Sequence, residues 1–172
     1  MVEAQGAILT IVILGGGAWG STLATIATAR GHRVRIWSRR DGARLLEALA
    51  AADIIISAVS MKGVREVAAR LRSAPLSPNT IFVTATKGLD PDSGSAEQLP
   101  LLPSQIWQAT FPEHAVVVLS GPNLSKEIDQ GLPAATVVAS QQLEAAEMVQ
   151  QALSSASFRV YTNTDGVGVE LG

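Results

Sequence analysis

The chain has 172 residues, 47% of them hydrophobic and 16% charged, with a formal net charge of −2 and no cysteine. This length and apolar content predict one α/β domain with a real core and exclude a disordered chain. The charge argues against a nucleic-acid surface, and the missing thiols exclude disulfides, cysteine nucleophiles and cysteine metal sites.

No apolar run reaches membrane-spanning length, because Ile8 to Leu14 is short and is followed at once by Gly15-Gly16-Gly17. Met1-Val2-Glu3 carries no basic leader, so the expectation is a cytoplasmic protein with no membrane insertion. Ile8 to Leu14 is itself a β-branched apolar run, as expected of a strand buried on both faces. Ala18 to Arg30 reads as a helix of small residues stopped by Gly31. Arg33-Val34-Arg35-Ile36-Trp37 alternates polar with apolar and predicts a second strand. Asp41 can cap a helix through Ala50, with Leu45, Leu46 and Leu49 on one face.

Asp53 to Val59 predicts a third strand, Val64 to Leu71 a helix, and Thr80 to Thr86 a fourth strand. The loop that follows contains Pro100 and Pro103, which speak against a long helix there. Ala115 to Leu119 is a fifth strand, and Asn123 is placed to cap a short helix ending near Gly131. Thr136 to Ala139 is a sixth strand. Gln141 to Leu153 predicts a helix facing inward through Leu143, Met148, Val149 and Leu153. Phe158 to Tyr161 closes the series. Strands alternating with helices imply an α/β fold with one doubly wound, mostly parallel sheet, read as a single domain over residues 1–172.

Gly15-Gly16-Gly17-Ala18-Trp19-Gly20 matches G-x-G-x-x-G between a predicted strand and a predicted helix, the setting of a Rossmann-type dinucleotide site. Gly15 would make the tight turn, Gly17 would admit a pyrophosphate, and Gly20 would let helix and strand pack closely. The phosphates would sit on the helix's free N–H groups. Trp19 is bulky for such a turn and can either cover a dinucleotide or pack on neighbouring strand ends. Where an acidic residue would normally take the ribose hydroxyls, the chain offers Ser38, Arg39 and Arg40. Fixed guanidinium donors suit a 2′-phosphate, so NADP(H) is preferred and NAD(H) is possible. Six of the 13 basic residues fall between Arg30 and Arg44. Without the glycine motif they would read as a solvated edge.

Lys87 follows a predicted strand beside Gly88 and can hold a phosphate or polarise a carbonyl, although alone it reads as a surface lysine. Ser120-Gly121-Pro122-Asn123-Leu124-Ser125 is a second strand-to-helix turn with donors for an anion. His32 and His114 have no partner at metal or triad spacing and read as surface residues. No metal site or hydrolase motif is present in the sequence.

These residues carry a resemblance. The stretches GGGAWGSTLA, ATKGL, SGPNLSKEIDQGLPAATVVAS and FRVYTNTDGVGVELG stand in a recognisable order and spacing. From about Ile11 to Gly172 the chain resembles bacterial-type NAD(P)-dependent glycerol-3-phosphate dehydrogenases. The resemblance implies reduction of dihydroxyacetone phosphate to sn-glycerol 3-phosphate for phospholipid synthesis, in a homodimeric enzyme. It implies cofactor contacts from Trp19, Arg39, Lys87 and Ser125. Lys87, Gly121 and Asn123 would border the substrate, with Lys87 as the catalytic group inside this sequence.

Members of the family continue past the point matching Gly172 into a helix bearing a further catalytic lysine, and then a helical substrate domain. Residues 1–172 are accordingly expected to be the cofactor domain and to turn over negligibly by themselves. Apolar surface around Val167, Val169 and Leu171 would favour self-association. The stretch between Trp37 and Asp53 is short for the family, which implies one edge strand fewer. Two alternatives remain at this stage: another two-domain reductase of a small carbonyl acid, and a nucleotide-binding module without chemistry.

Overall fold

A computed structural model describes residues 7–39, 47, 49–95 and 98–172. Runs of Ile, Val and Thr form the strands at the centre. These are β1 (Thr10–Leu14), β3 (Ile54–Ser57), β4 (Ile81–Thr84) and β5 (Val116–Ser120), nearly all of whose residues are buried on both faces. β2 (Arg33–Trp37), β6 (Ala134–Ala139) and β7 (Phe158–Asn163) complete one seven-stranded sheet in the order β2-β1-β3-β4-β5-β6-β7. Every neighbouring pair is parallel except β5 and β6. The sheet is therefore mostly parallel, and the direction of winding reverses between β1 and β3. Among the described residues β2 forms one edge.

Alternation along the strands builds two cores. Ile11, Ile13, Ile54, Ile56 and Val83 face α1 (Ala18–Ala29), and the same core continues to the later helix at 143–153. Val12, Leu14, Ile55 and Phe82 face α2 (Met61–Leu71) and α3 (Pro103–Thr110). Phe82 stacks against both Trp107 and Phe111, with ring centroids 5.2 and 4.5 Å away. Three layers result, with the strand ends exposed between them.

Several expectations are corrected here. The loop after β4 holds no long helix, as expected, but it does hold a short one of eight residues that the sequence reading did not place: α3 uses Pro103 in its first turn, where the missing N–H costs nothing. Asn123 does not cap the next helix. α4 (Ser125–Asp129) begins after Leu124, and the buried Asn123 side-chain oxygen accepts no hydrogen bond from its first turn among the described residues. In α5 (Leu143–Leu153) the buried stripe is Ala145, Ala146, Val149, Ala152 and Leu153, while Leu143 and Met148 are exposed. Small alanines let that helix lie close to the sheet, and an apolar count underrates them. The predicted helix from Asp41 to Ala50 falls largely outside the described residues, as does Arg40.

A short α6 (Gly166–Leu171) ends the chain; its N-cap Asp165 accepts from Gly168 N at 2.8 Å. Val167 and Leu171 are exposed on it, and Val169 is partly buried. Glu170 of α6 caps α3, accepting from Ser104 N at 2.9 Å and from the Ser104 hydroxyl. Burial pushes the Glu170 carboxyl above its ordinary range, against those two donors.

Neither histidine is a mere surface group. His114 Nδ1 donates to the Thr80 carbonyl, 2.9 Å away, and the ring meets Phe82 edge to face. His32 Nδ1 accepts from Leu9 N at 3.2 Å while Nε2 donates to the Ala152 carbonyl at 3.1 Å. Those two bonds require the neutral imidazole and join the start of β1 to the end of α5. Burial, with Arg30 nearby, holds the His32 pKa below its ordinary 6.5, partly opposed by the Ala152 carbonyl.

Two predictions follow from these contacts. A His pKa lowered by folding means that protons bind the unfolded chain better, so His32's contribution is complete above pH 6.5 and declines as pH falls below it. Urea midpoints should drop over that range, and His32→Asn should flatten the drop. The second concerns glycine. A Cβ at Gly20 would stand 2.0 Å from the Gly15 carbonyl oxygen, whereas one at Gly63 in α2 meets only ordinary contacts from 3.7 Å. Gly20→Ala should cost about 3 kcal/mol or more, and Gly63→Ala should gain up to about 1 kcal/mol, both read by urea unfolding.

Candidate functional site

The turn after β1 is made by glycine because nothing else fits. Gly15 has φ +114°, and a Cβ on it would lie 2.7 Å from the Ala58 carbonyl oxygen at the end of β3. Its N–H donates to the Trp37 carbonyl at 2.8 Å, drawing in the end of β2 as well. Three strand ends are thereby gathered under the first turn of α1.

A cleft of about 650 Å³ opens there, lined by Gly15, Gly17, Ser38, Arg39, Val59 and Ser60 among others. Two helices, α1 and α2, begin at it. Neither has a side-chain cap or an acidic residue in its first turn, so both present unsatisfied N–H groups and positive dipole ends. Gly17 has an ordinary φ of −76°, and a Cβ there would meet no protein atom within 4 Å. Its bareness keeps room in the cleft rather than serving the fold.

A second cavity of about 460 Å³ adjoins the first, and Ala58, Val59 and Ser60 line both. Here the structure brings together Trp19, Lys87, Asn123 and Ser125, which stand far apart in the sequence. Lys87 Nζ donates to the Gly121 carbonyl at 2.9 Å. A Cβ at Gly121 would come 3.0 Å from Asn123 Nδ2, so the bare glycine lets the asparagine turn inward. Both amide atoms of Asn123 are buried without a hydrogen-bond partner among the described residues. An unsatisfied buried amide costs about 1–3 kcal/mol, a penalty that a polar ligand in the cavity would remove.

Among the described residues no carboxylate lines either cavity, whereas Arg39 and Lys87 do. The arrangement suits an extended anion across the first cleft and a small polar anion in the second. Of the predicted residues, Gly15, Gly17, Ser38 and Arg39 fall in the first cavity, and Trp19, Lys87, Asn123 and Ser125 in the second. Ala18 opens α1, Gly20 packs beneath Gly15, and Gly121 backs Lys87; Arg40 lies outside the described residues. Trp19 packs on the core and also lines the second cavity.

Sequence reasoning missed Ser21, Ile36 and Thr86 as lining residues. Ile36 was the legible one, an apolar residue 44% exposed on a basic edge strand. Thr86 is buried, and its hydroxyl donates to the Val59 carbonyl at 2.9 Å, a contact with no local sequence signal. Among the described residues no helix is long and apolar enough to cross a membrane.

Comparison with known proteins identifies the family and the fold. Residues 10–45 and 41–146 match the family described as the N-terminus of NAD-dependent glycerol-3-phosphate dehydrogenase. The two matched segments meet in the stretch between Trp37 and Asp53. A glycerol-3-phosphate dehydrogenase [NAD(P)+] of Trichormus variabilis is 64% identical over 163 residues, covering 95% of this chain and 51% of that protein. One from a Synechococcus strain is 59% identical, covering 95% and 50%. The crystal structure of glycerol-3-phosphate dehydrogenase from Coxiella burnetii superposes with a TM-score of 0.83 at 26% identity, covering 95% of this chain and 56% of that one. The chain spans about half the length of the curated relatives it matches. The Rossmann-type sheet, the glycine turn and the matched residues agree: this chain belongs to the family of the NAD-dependent glycerol-3-phosphate dehydrogenase N-terminus.

Proposed function

We propose that this chain supplies the cofactor-holding part of an oxidoreductase that reduces dihydroxyacetone phosphate to sn-glycerol 3-phosphate, with NADPH preferred and NADH accepted. The product would feed phospholipid synthesis in the cytoplasm. One observation carries the reading: two cavities share the Ala58–Ser60 wall, with uncapped helix starts in one and Lys87 with an unsatisfied Asn123 amide in the other. The resemblance adds a helical second domain, a further lysine and a homodimer to this reading.

When bound, the cofactor supplies a hydride to the substrate's carbonyl carbon. The residues of this chain do the rest of the positioning. Gly15, Gly17, Ala18 and Gly20 form the turn whose N–H groups hold the pyrophosphate, with Gly17 leaving it room. Ser38 and Arg39, joined by Arg40, take the 2′-phosphate, a dianion that a planar guanidinium can bind through two donors. Trp19 and Ser125 wall the far end of the dinucleotide.

In the second cavity Lys87 has three donors, of which Gly121 takes one. The others stabilise negative charge growing on the carbonyl oxygen or on the phosphate. Asn123 supplies an amide donor and acceptor to the substrate's polar groups, and Gly121 gives them space. Binding of the substrate would thereby satisfy the two buried Asn123 amide atoms that lack partners among the described residues.

Calorimetric titration of the chain with NADPH and NADH tests the reading. NADPH is expected to bind more tightly. Arg39→Asp should weaken NADPH at least about tenfold, or about 1.4 kcal/mol, and change NADH less than about twofold. Gly17→Ala should weaken both while leaving the urea midpoint nearly unchanged. Equal affinities would remove the 2′-phosphate assignment, and no binding of either dinucleotide would overturn the proposal.

A further inference from the structure

Asp90 is a buried carboxylate that the proposed reaction does not use. It lies three residues after Lys87, in the loop leaving β4, and is 2% exposed. Arg65 of α2 donates to Asp90 Oδ2 twice, from Nε at 2.7 Å and from Nη2. Asp92 N donates to Oδ1 at 3.3 Å. The loop closes around this carboxylate: Asp90 N donates to the Leu101 carbonyl at 2.9 Å and Ser93 Oγ to the Asp90 carbonyl at 3.1 Å. Leu101 N in turn donates to Ser93 Oγ at 2.7 Å.

The other end of this attachment matters as much. Arg65 sits early in α2, just past Val59, Ser60 and Gly63, which line the cavities. Between Lys87 and Asp90 the chain turns at Gly88, with φ +104°, passing the first residue of α2; a Cβ there would be 4.0 Å from Met61 Cβ. On the opposite flank Thr86 Oγ1 donates to the Val59 carbonyl at 2.9 Å. Lys87 thus lies between two attachments, and both reach the same segment, residues 59–65.

Placement explains why a charged pair stands here. Desolvating a carboxylate offsets much of what its ion pair gains, so such a pair adds little net stability, but it tolerates few geometries. A lysine on a four-carbon stem has many rotamers, and its ammonium reaches the Gly121 carbonyl only if its backbone is held.

We propose that the Asp90–Arg65 pair and Thr86 form a two-sided latch that positions Lys87 in the second cavity. Arg65 and Asp90 are then positioning residues that act through Lys87. The inference deepens the proposed function and rests on it only for what Lys87 touches; the latch itself can be read without turnover.

The chain contains three lysines, Lys62, Lys87 and Lys126, so amine acylation followed by peptide mass spectrometry reports each separately. A lysine amine held against the Gly121 carbonyl is less free to meet a reagent, and its release from that contact speeds acylation. Asp90→Asn and Thr86→Val should raise the acylation of Lys87 relative to Lys126 at least about threefold, and Asp90→Glu should return the ratio to within about twofold of the parent. Arg65→Lys keeps the charge at a half-exposed position and gives the same rise if Asp90→Asn fails to fold. Glu66→Gln, which breaks the exposed Glu66–Arg70 pair on the same helix, should leave the ratio unchanged. An unchanged Lys87 ratio in Asp90→Asn or Arg65→Lys overturns the latch, as does an equal rise at all three lysines. Failure of the parent chain to bind NADPH would instead sink the proposed function and leave this comparison standing.

Discussion

The backbone approach at the centre of the sheet is the constraint on which the rest depends. Gly15 passes the Ala58 carbonyl so closely that a methyl group would collide with it, and Gly20 rests against the Gly15 carbonyl in the same way. These contacts bring the start of α1 directly over the ends of β1 and β3, where the winding of the sheet reverses. A helix that began one residue further away would leave its N–H groups to water. Here they face a cleft, with the start of α2 beside them. The site is a consequence of how tightly two glycines let strand and helix pack.

The polar groups of the interior divide into those that complete the fold and those that await something else. His32, Glu170, Thr86 and Asp90 all have partners, and each joins elements distant in sequence. They hold the layers in one arrangement. Asn123 differs, since its buried amide finds no partner among the described residues and faces the cavity that also holds Lys87. Charge follows the same division. The chain carries a small negative net charge, yet the cavities gather a guanidinium, an ammonium and two helix starts with no described carboxylate. Local placement, not total charge, makes these cavities suited to an anion.

Much of this was legible along the chain because buried strands and glycine turns write themselves in short, local patterns. Ile11-Val12-Ile13-Leu14 is apolar on both faces and is a central strand; Gly31 stops α1 with φ +87°. Other features were misread for equally physical reasons. Pro103 looked like a breaker, but a proline's cost vanishes in a first turn. Asn123 looked like a cap, but the helix starts one residue later, after Leu124, and the Asn123 amide turns into the cavity instead. Leu143 and Met148 looked like core by hydrophobicity, while alanines form the buried stripe because closeness counted for more than size.

The sequence by itself determined the seven strands, most of the helices between them and the glycine turn, because each depends on residues adjacent or one helical turn apart; the helices at Pro103–Thr110 and Gly166–Leu171 were not read. It also supplied Arg39, Lys87, Gly121 and Asn123 as separate candidates. Tertiary structure alone decided that Lys87 meets Gly121 across 34 positions, that Asn123 turns inward unsatisfied, and that Arg65 reaches Asp90. Those outcomes depend on which strand ends lie side by side, an order set by the packing of helices on both faces of the sheet. Side chains at a distance of tens of residues carry no local trace of the neighbour they will meet.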